Sequence, residues 1–199
     1  ALGAAWRGPL PAFCGGAHSV GGRVGRAACH DGPAGGPGWP AQLQRMVFLG
    51  TPHHGAPLER AGHWVDLLLG STPFSRPFAR LAQLRSAGIT DLRYGHVRET
   101  DWQGHDRFRR RPDQRTPLPL PAGIDCFAVA ATLAPRRSRV ADRLLGDGLV
   151  PLHSALGQHA DPARTLAFPG PNQHLAFRTG HLDLLNDAGV ARQLVQWLG

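Results

Sequence analysis

The sequence contains no lysine, so all 22 of its basic side chains are arginine. Together with 26 glycines and 18 prolines, this marks a GC-biased coding sequence, and the net charge of +8 follows from composition before any basic surface need be invoked. The one dense run, Arg107-Phe108-Arg109-Arg110-Arg111 with Arg115, lies in a Pro-flanked segment and reads as a solvated charged loop, so no nucleic-acid partner is expected. Cysteine is also sparse. Cys14, Cys29 and Cys126 are odd in number and lack CxxC or metal spacing, which argues against a disulfide framework and for reduced thiols in a cytoplasmic location. No run of roughly 18 apolar residues occurs, so no transmembrane segment is expected. A basic segment followed by an unbroken apolar core is missing from the N-terminus, so no secretory signal is expected there. Internal repeats and heptads are absent too. The chain begins at Ala1 rather than Met, so it is expected to be a piece of something longer.

What is present suits one globular domain: 199 residues, 42% of them hydrophobic. The stretch Ala17-His18-Ser19-Val20-Gly21-Gly22 reads as a strand-to-helix turn carrying an exposed serine. Such a turn needs small residues two before and two after the serine, places held here by Ala17 and Gly21. It would also aim the N–H of Val20 at the position where an oxyanion forms. An ordinary Gly/Ser-rich loop is the other reading of the same residues.

In chain order, residues 10–16 are expected to form the strand feeding Ser19, although Gly15 and Gly16 weaken it. Residues 20–29 predict a short glycine-rich helix, and Arg45–Gly50 a strand buried on both faces of a parallel sheet, giving a βαβ unit. The turn Gly50-Thr51-Pro52-His53-His54-Gly55 then falls at the carboxyl end of a strand, where open α/β sheets place their binding sites. Residues 58–122 predict a helical cap or lid insertion, with helices at 58–69 and 78–84, whose aromatics Trp64, Phe74, Phe78 and Trp102 fit either a substrate pocket or cap packing. Strands are expected at 124–131 and 165–168, and an amphipathic helix at 190–198 with Val190, Leu194, Val195 and Leu198 on its buried stripe.

A serine hydroxyl is a poor nucleophile at neutral pH and needs a base in reach, with an acid to hold that base in the right tautomer. In the order Ser, Asp, His, the chain offers Ser19, Asp147 and His181. Asp147 between two glycines also fits a simple turn aspartate. His153, His159 and His174 compete with His181, which the Gly180-His181-Leu182-Asp183 setting favours. The adjacent pair His53 and His54 has no third ligand, so no metal is expected.

Four segments taken in order, Ala17–Gly22, Gly50–Gly55, Gly146–Pro151 and His181–Leu185, resemble the bacterial α/β-hydrolases related to lipases and to inositol-deacylase-like esterases. The resemblance implies an α/β fold, a mostly parallel sheet flanked by helices with a helical cap insertion, over a single domain spanning 1–199. It implies Ser19 as nucleophile, Asp147 as triad acid, His181 as base and Val20 as oxyanion donor, with His18, His53 and His54 bordering the substrate pocket. A small-molecule or lipid carboxylic ester is the implied substrate, with no cofactor. The chain departs from the family in carrying Ala17 where Gly is usual. It also lacks the N-terminal strands and the His-Gly loop that supplies a second oxyanion donor. A truncated or decayed hydrolase relative without catalytic activity, serving as a structural or interaction module, is the alternative expectation.

Overall fold

A computed structural model of the chain describes residues 12–31, 39–55, 116–136 and 146–199. Helices 58–69 and 78–84, the aromatics Trp64, Phe74, Phe78 and Trp102, and the arginine run at 107–115 lie outside the described residues. Of the stretch 58–122, where a cap was expected, only 116–122 falls within the described residues, and it carries no helix or strand.

Four parallel strands form one sheet in sequence order: β1 (Phe13–His18), β2 (Leu43–Leu49), β3 (Asp125–Thr132) and β4 (Gln173–Phe177). Between β1 and β2 runs helix α1 (Val20–Asp31). A single helical turn, α2 (Leu152–Ala155), precedes β4, and α3 (Ala188–Leu198) closes the chain. Among the described residues β1 pairs only with β2, so within the described sheet the glycine-bearing strand stands at an edge, with Cys14 and Gly16 exposed. An edge tolerates the weak pairing of Gly15 and Gly16 better than the sheet centre would.

The two central strands are apolar on both faces, as parallel strands covered by helices must be. Met46 and Phe48 of β2 and Cys126, Ala128 and Ala130 of β3 face a cluster completed by Cys29 of α1 and by Leu152, Leu156, Leu166 and Phe168. Val47, Phe127, Val129 and Ala131 point the other way, towards Leu184 and α3. This period-2 alternation divides the core into two layers with the sheet between them. Asp187 caps α3 by accepting from Val190 N–H at 2.8 Å.

Two expectations are corrected. Thr165–Phe168 is irregular: Leu166 N–H donates to Gly157 O at 2.8 Å and Phe168 N–H to Leu166 O at 2.9 Å, so these bonds close within the loop rather than across a ladder. Leu166 and Phe168 are buried, which produces the alternation of a strand without its pairing. The strand is instead Gln173–Phe177, whose polar start disguised it, with Gln173 and His174 beside Ala128 and Val129. On α3, Val195 is 72% exposed. The buried stripe runs through Val190, Leu194, Trp197 and Leu198, with Trp197 stacked on Phe127 at 4.8 Å.

Candidate active site

The carboxyl ends of the four strands gather the candidate residues. Ser19 stands between β1 and α1 with φ at 58°, one of two non-glycine residues at positive φ among the described residues. That conformation costs about 1–2 kcal/mol for an L-residue, and it persists because its surroundings pin it. Ser19 N–H donates to Leu49 O at 2.8 Å, extending the ladder past β1, and Ser19 O accepts from Gly22 N–H at 3.2 Å. The hydroxyl Oγ is buried and has no hydrogen-bond partner among the described residues. Val20 opens α1, where backbone N–H groups have no acceptor within the helix.

The tight packing that the turn requires falls one residue later than the sequence pattern suggests. A Cβ on Gly21 would meet nothing within 4 Å, whereas one on Gly22 would collide with Thr51 Oγ1 and lie 2.9 Å from Phe48 Cδ1. Helix α1 and the turn after β2 thus approach each other through Gly22.

Asp147 lies in a turn that comes after β3 in the chain, and His181 in the turn after β4. The loop of Asp147 is tied to the end of β3 by Leu133 N–H donating to Gly146 O at 2.8 Å, and the loop of His181 by Thr179 N–H donating to Thr132 O at 3.1 Å. Both side chains are buried, with Asp147 at 3% and His181 at 4% exposure. Asp147 Oδ2 lies 2.7 Å from His181 Nδ1. The other oxygen, Oδ1, accepts from Leu149 N–H at 2.9 Å and Val150 N–H at 2.7 Å. A carboxylate with this set of donors is held at one angle, and the imidazole with it. Neither His153, His159 nor His174 meets Asp147 in this way among the described hydrogen bonds.

Two further residues border the His181 ring. Gly50, at φ +54°, leaves space that a Cβ would close: it would sit 3.2 Å from His181 Cε1 and Nδ1 and 2.9 Å from Leu184 Cδ1. His18 packs its ring on that of His181 at 4.6 Å, and its Nε2 lies 3.0 Å from His181 O. Burial, the dominant influence, holds the His18 pKa below its ordinary value, opposed by the bond to the His181 carbonyl. Ser19 follows His18 directly, and Gly50 follows the Leu49 that bonds Ser19. The serine turn, the turn after β2 and the Asp147–His181 pair therefore meet at one end of the sheet.

His53 and His54 diverge. His53 is 1% exposed, with its ring edge-on to Phe48 at 5.0 Å and tilted to Phe168 at 5.6 Å. Neither ring nitrogen has a hydrogen-bond partner among the described residues. Desolvation first, then the positive charge of Arg26, drives its pKa well down, so the ring is neutral. His54 Nε2 lies 3.0 Å from Gly157 O, and its backbone N–H donates to Ser154 Oγ at 3.1 Å, which joins the turn after β2 to the loop that follows α2.

Among the described residues, no group of three or more His, Cys, Asp or Glu is placed to hold a metal ion, and no helix is long and apolar enough to cross a membrane. The three cysteines are free thiols. Burial pushes Cys126 up to about 12 and raises Cys29, so both are poor nucleophiles. The contact of His18 with His181 was not legible in sequence, since nothing in the local pattern around either residue predicts an interaction across 163 positions.

No protein-family model matches the chain, and no curated protein does. Among solved structures, a Bacillus licheniformis lipase in its mature form is similar, with a TM-score of 0.44 and 16% identity over 94% of this chain. The chain spans 66% of that lipase's length. The parallel sheet with helices on both faces and a serine at the strand-to-helix turn, as seen in this chain, fit an α/β-hydrolase fold.

Proposed function

We propose that the chain is a serine hydrolase that cleaves carboxylic esters by acyl transfer through Ser19. The observation that carries this reading is the buried Asp147–His181 pair at 2.7 Å, set at the same end of the sheet as a serine strained to φ 58°. In the first half-reaction the Ser19 oxygen attacks the ester carbonyl carbon while His181 takes the hydroxyl proton, and the Val20 N–H donates to the developing oxyanion. Collapse of the tetrahedral intermediate breaks the bond to the alcohol, which receives the proton from His181 and leaves an acyl-serine. Water, deprotonated by the same imidazole, then attacks the acyl-serine to release the acid and restore Ser19. Asp147 keeps Nδ1 protonated, so that the other ring nitrogen faces the serine as the acceptor.

The reading extends to a small-molecule or lipid ester as substrate, to the esterase and lipase relatives of the inositol-deacylase-like subtype, to His18, His53 and His54 near the acyl-binding space, and to a cytoplasmic location in keeping with the free thiols. The test is p-nitrophenyl ester hydrolysis together with fluorophosphonate labelling. Hydrolysis lost in Ser19→Ala, with the label mapped to Ser19 in the unsubstituted chain, is the expected result. Unchanged hydrolysis in Ser19→Ala would sink the mechanism, and a properly folded chain with neither label nor turnover would favour the non-enzymatic module.

A further inference from the structure

We infer that His18 is a positioning residue for His181: its Nε2–H holds the His181 carbonyl and its ring braces the imidazole. The inference deepens the hydrolase reading and rests on it for its kinetic consequences.

A carbonyl oxygen only accepts hydrogen bonds, so the 3.0 Å approach of His18 Nε2 to His181 O assigns the proton to Nε2. The backbone of His181 is then secured at both of its polar groups, because its N–H donates to Asp147 O at 3.1 Å. The side chain adds a third tie through Nδ1 and Asp147 Oδ2 at 2.7 Å. With amide, carbonyl and Nδ1 all fixed, rotation about the backbone at 181 is blocked, and the Nε2 edge of the imidazole keeps one direction. His18 adds a steric wall, its ring 4.6 Å from that of His181 and tilted by 43°. Because His18 precedes Ser19 without an intervening residue, the same short segment carries the nucleophile and the brace. A displacement of β1 therefore moves both together and preserves their relative placement. Burial favours the neutral ring of His18, which avoids like charge beside His181 when that ring takes up a proton. In this role His18 acts on the reaction through His181.

The test compares His18→Phe, which keeps a ring and removes the donor, with His18→Gln, whose amide N–H reaches where Nε2–H does. For His18→Phe, kcat is expected to fall about 10- to 100-fold at unchanged KM, the scale of loss that about 1 Å of misplacement produces. His18→Gln restores most of that loss. A rise in KM at unchanged kcat would overturn the inference in favour of a pocket-lining role, and equal impairment of both variants would remove the donor from it. A second measurement needs no turnover. Imidazole nitrogen NMR of the folded chain should find His18 as the Nε2–H tautomer, and the His181 ring signals should move in His18→Phe. An Nδ1–H tautomer, or unmoved His181 signals, overturns the inference whether or not the chain hydrolyses esters. Absence of fluorophosphonate labelling would instead remove the hydrolase reading and leave the NMR result to decide the positioning.

Discussion

Asp147 and His181 are joined twice, carboxylate to imidazole at 2.7 Å and carbonyl to backbone N–H at 3.1 Å, although 34 positions separate them in the chain. Replacing Asp147 by Asn would preserve an acceptor for Leu149 and Val150 N–H while ending the preference for a proton on Nδ1. The expected outcome is a loss of kcat on the order of 10⁴-fold, the magnitude seen when the acid of a serine-protease triad is so changed, with the fold retained. Stopped-time ester assays alongside circular dichroism check it. An Asn variant within a few-fold of the parent would show that Asp147 is a turn residue only.

Gly50 offers a separate route to the same imidazole. In Gly50→Ala, the new methyl would meet the His181 ring at 3.2 Å and Leu184 at 2.9 Å, in a residue held at φ +54°. Stability should fall by about 1–2 kcal/mol for the left-handed conformation alone. Ester turnover should fall further than that destabilisation explains, because the ring must shift. Thermal unfolding and kcat, measured together, separate the two effects.

The neighbouring glycines of the serine turn should behave oppositely. Gly22→Ala places a methyl against Thr51 and Phe48 and is expected to cost about 1–3 kcal/mol by overpacking. Adding Thr51→Ala, which removes both nearby Thr51 atoms, should recover part of that cost. Gly21→Ala meets nothing and gains helix propensity, so its midpoint in urea should equal or exceed that of the parent. A lower midpoint for Gly21→Ala than for Gly22→Ala would contradict the packing described.

Acid should weaken the fold partly through His53. In the folded chain burial holds this imidazole well below its ordinary value of 6.5, so as pH falls through about 6.5 the unfolded chain takes up a proton that the folded chain refuses. The unfolded state then binds more protons, and stability rises with pH across that window and declines below it, at up to about 1.4 kcal/mol per pH unit for one group. His18 acts in the same direction, its pKa also being lowered by burial. His53→Leu loses no described hydrogen bond and should flatten the dependence. Urea midpoints of parent and variant, compared between pH 5 and 7.5, measure the difference; parallel curves would show that His53 is not the group responsible.

Much of this architecture can be read from residue order. The apolar run at Arg45–Gly50 and the stretch at 124–131 correspond to β2 and β3 because a strand covered on both faces has to be apolar throughout. Asp147 and His181 were legible because a glycine-flanked acid and a loop histidine follow a serine turn in the required order. The rest depended on contacts that no local pattern encodes. β4 begins Gln-His and was hidden behind the more apolar Thr165–Phe168, which is buried without pairing. The crowding at Gly22 comes from Thr51, a residue of another turn, so spacing around Ser19 alone pointed to Gly21. The packing of the His53 ring against Phe48 and Phe168 was also out of reach of the sequence, because their proximity arises from tertiary structure.

The bond between His18 and His181 closes a loop of 163 positions, across a sheet whose strands are laid down in the order in which they are made. During synthesis, therefore, the serine turn and its strand can take shape early, but the imidazole arrives only with the last part of the described chain. On the proposed mechanism, a ribosome-bound chain stopped before residue 181 would carry Ser19 without His181, and ester cleavage would begin only after β4 has joined the sheet.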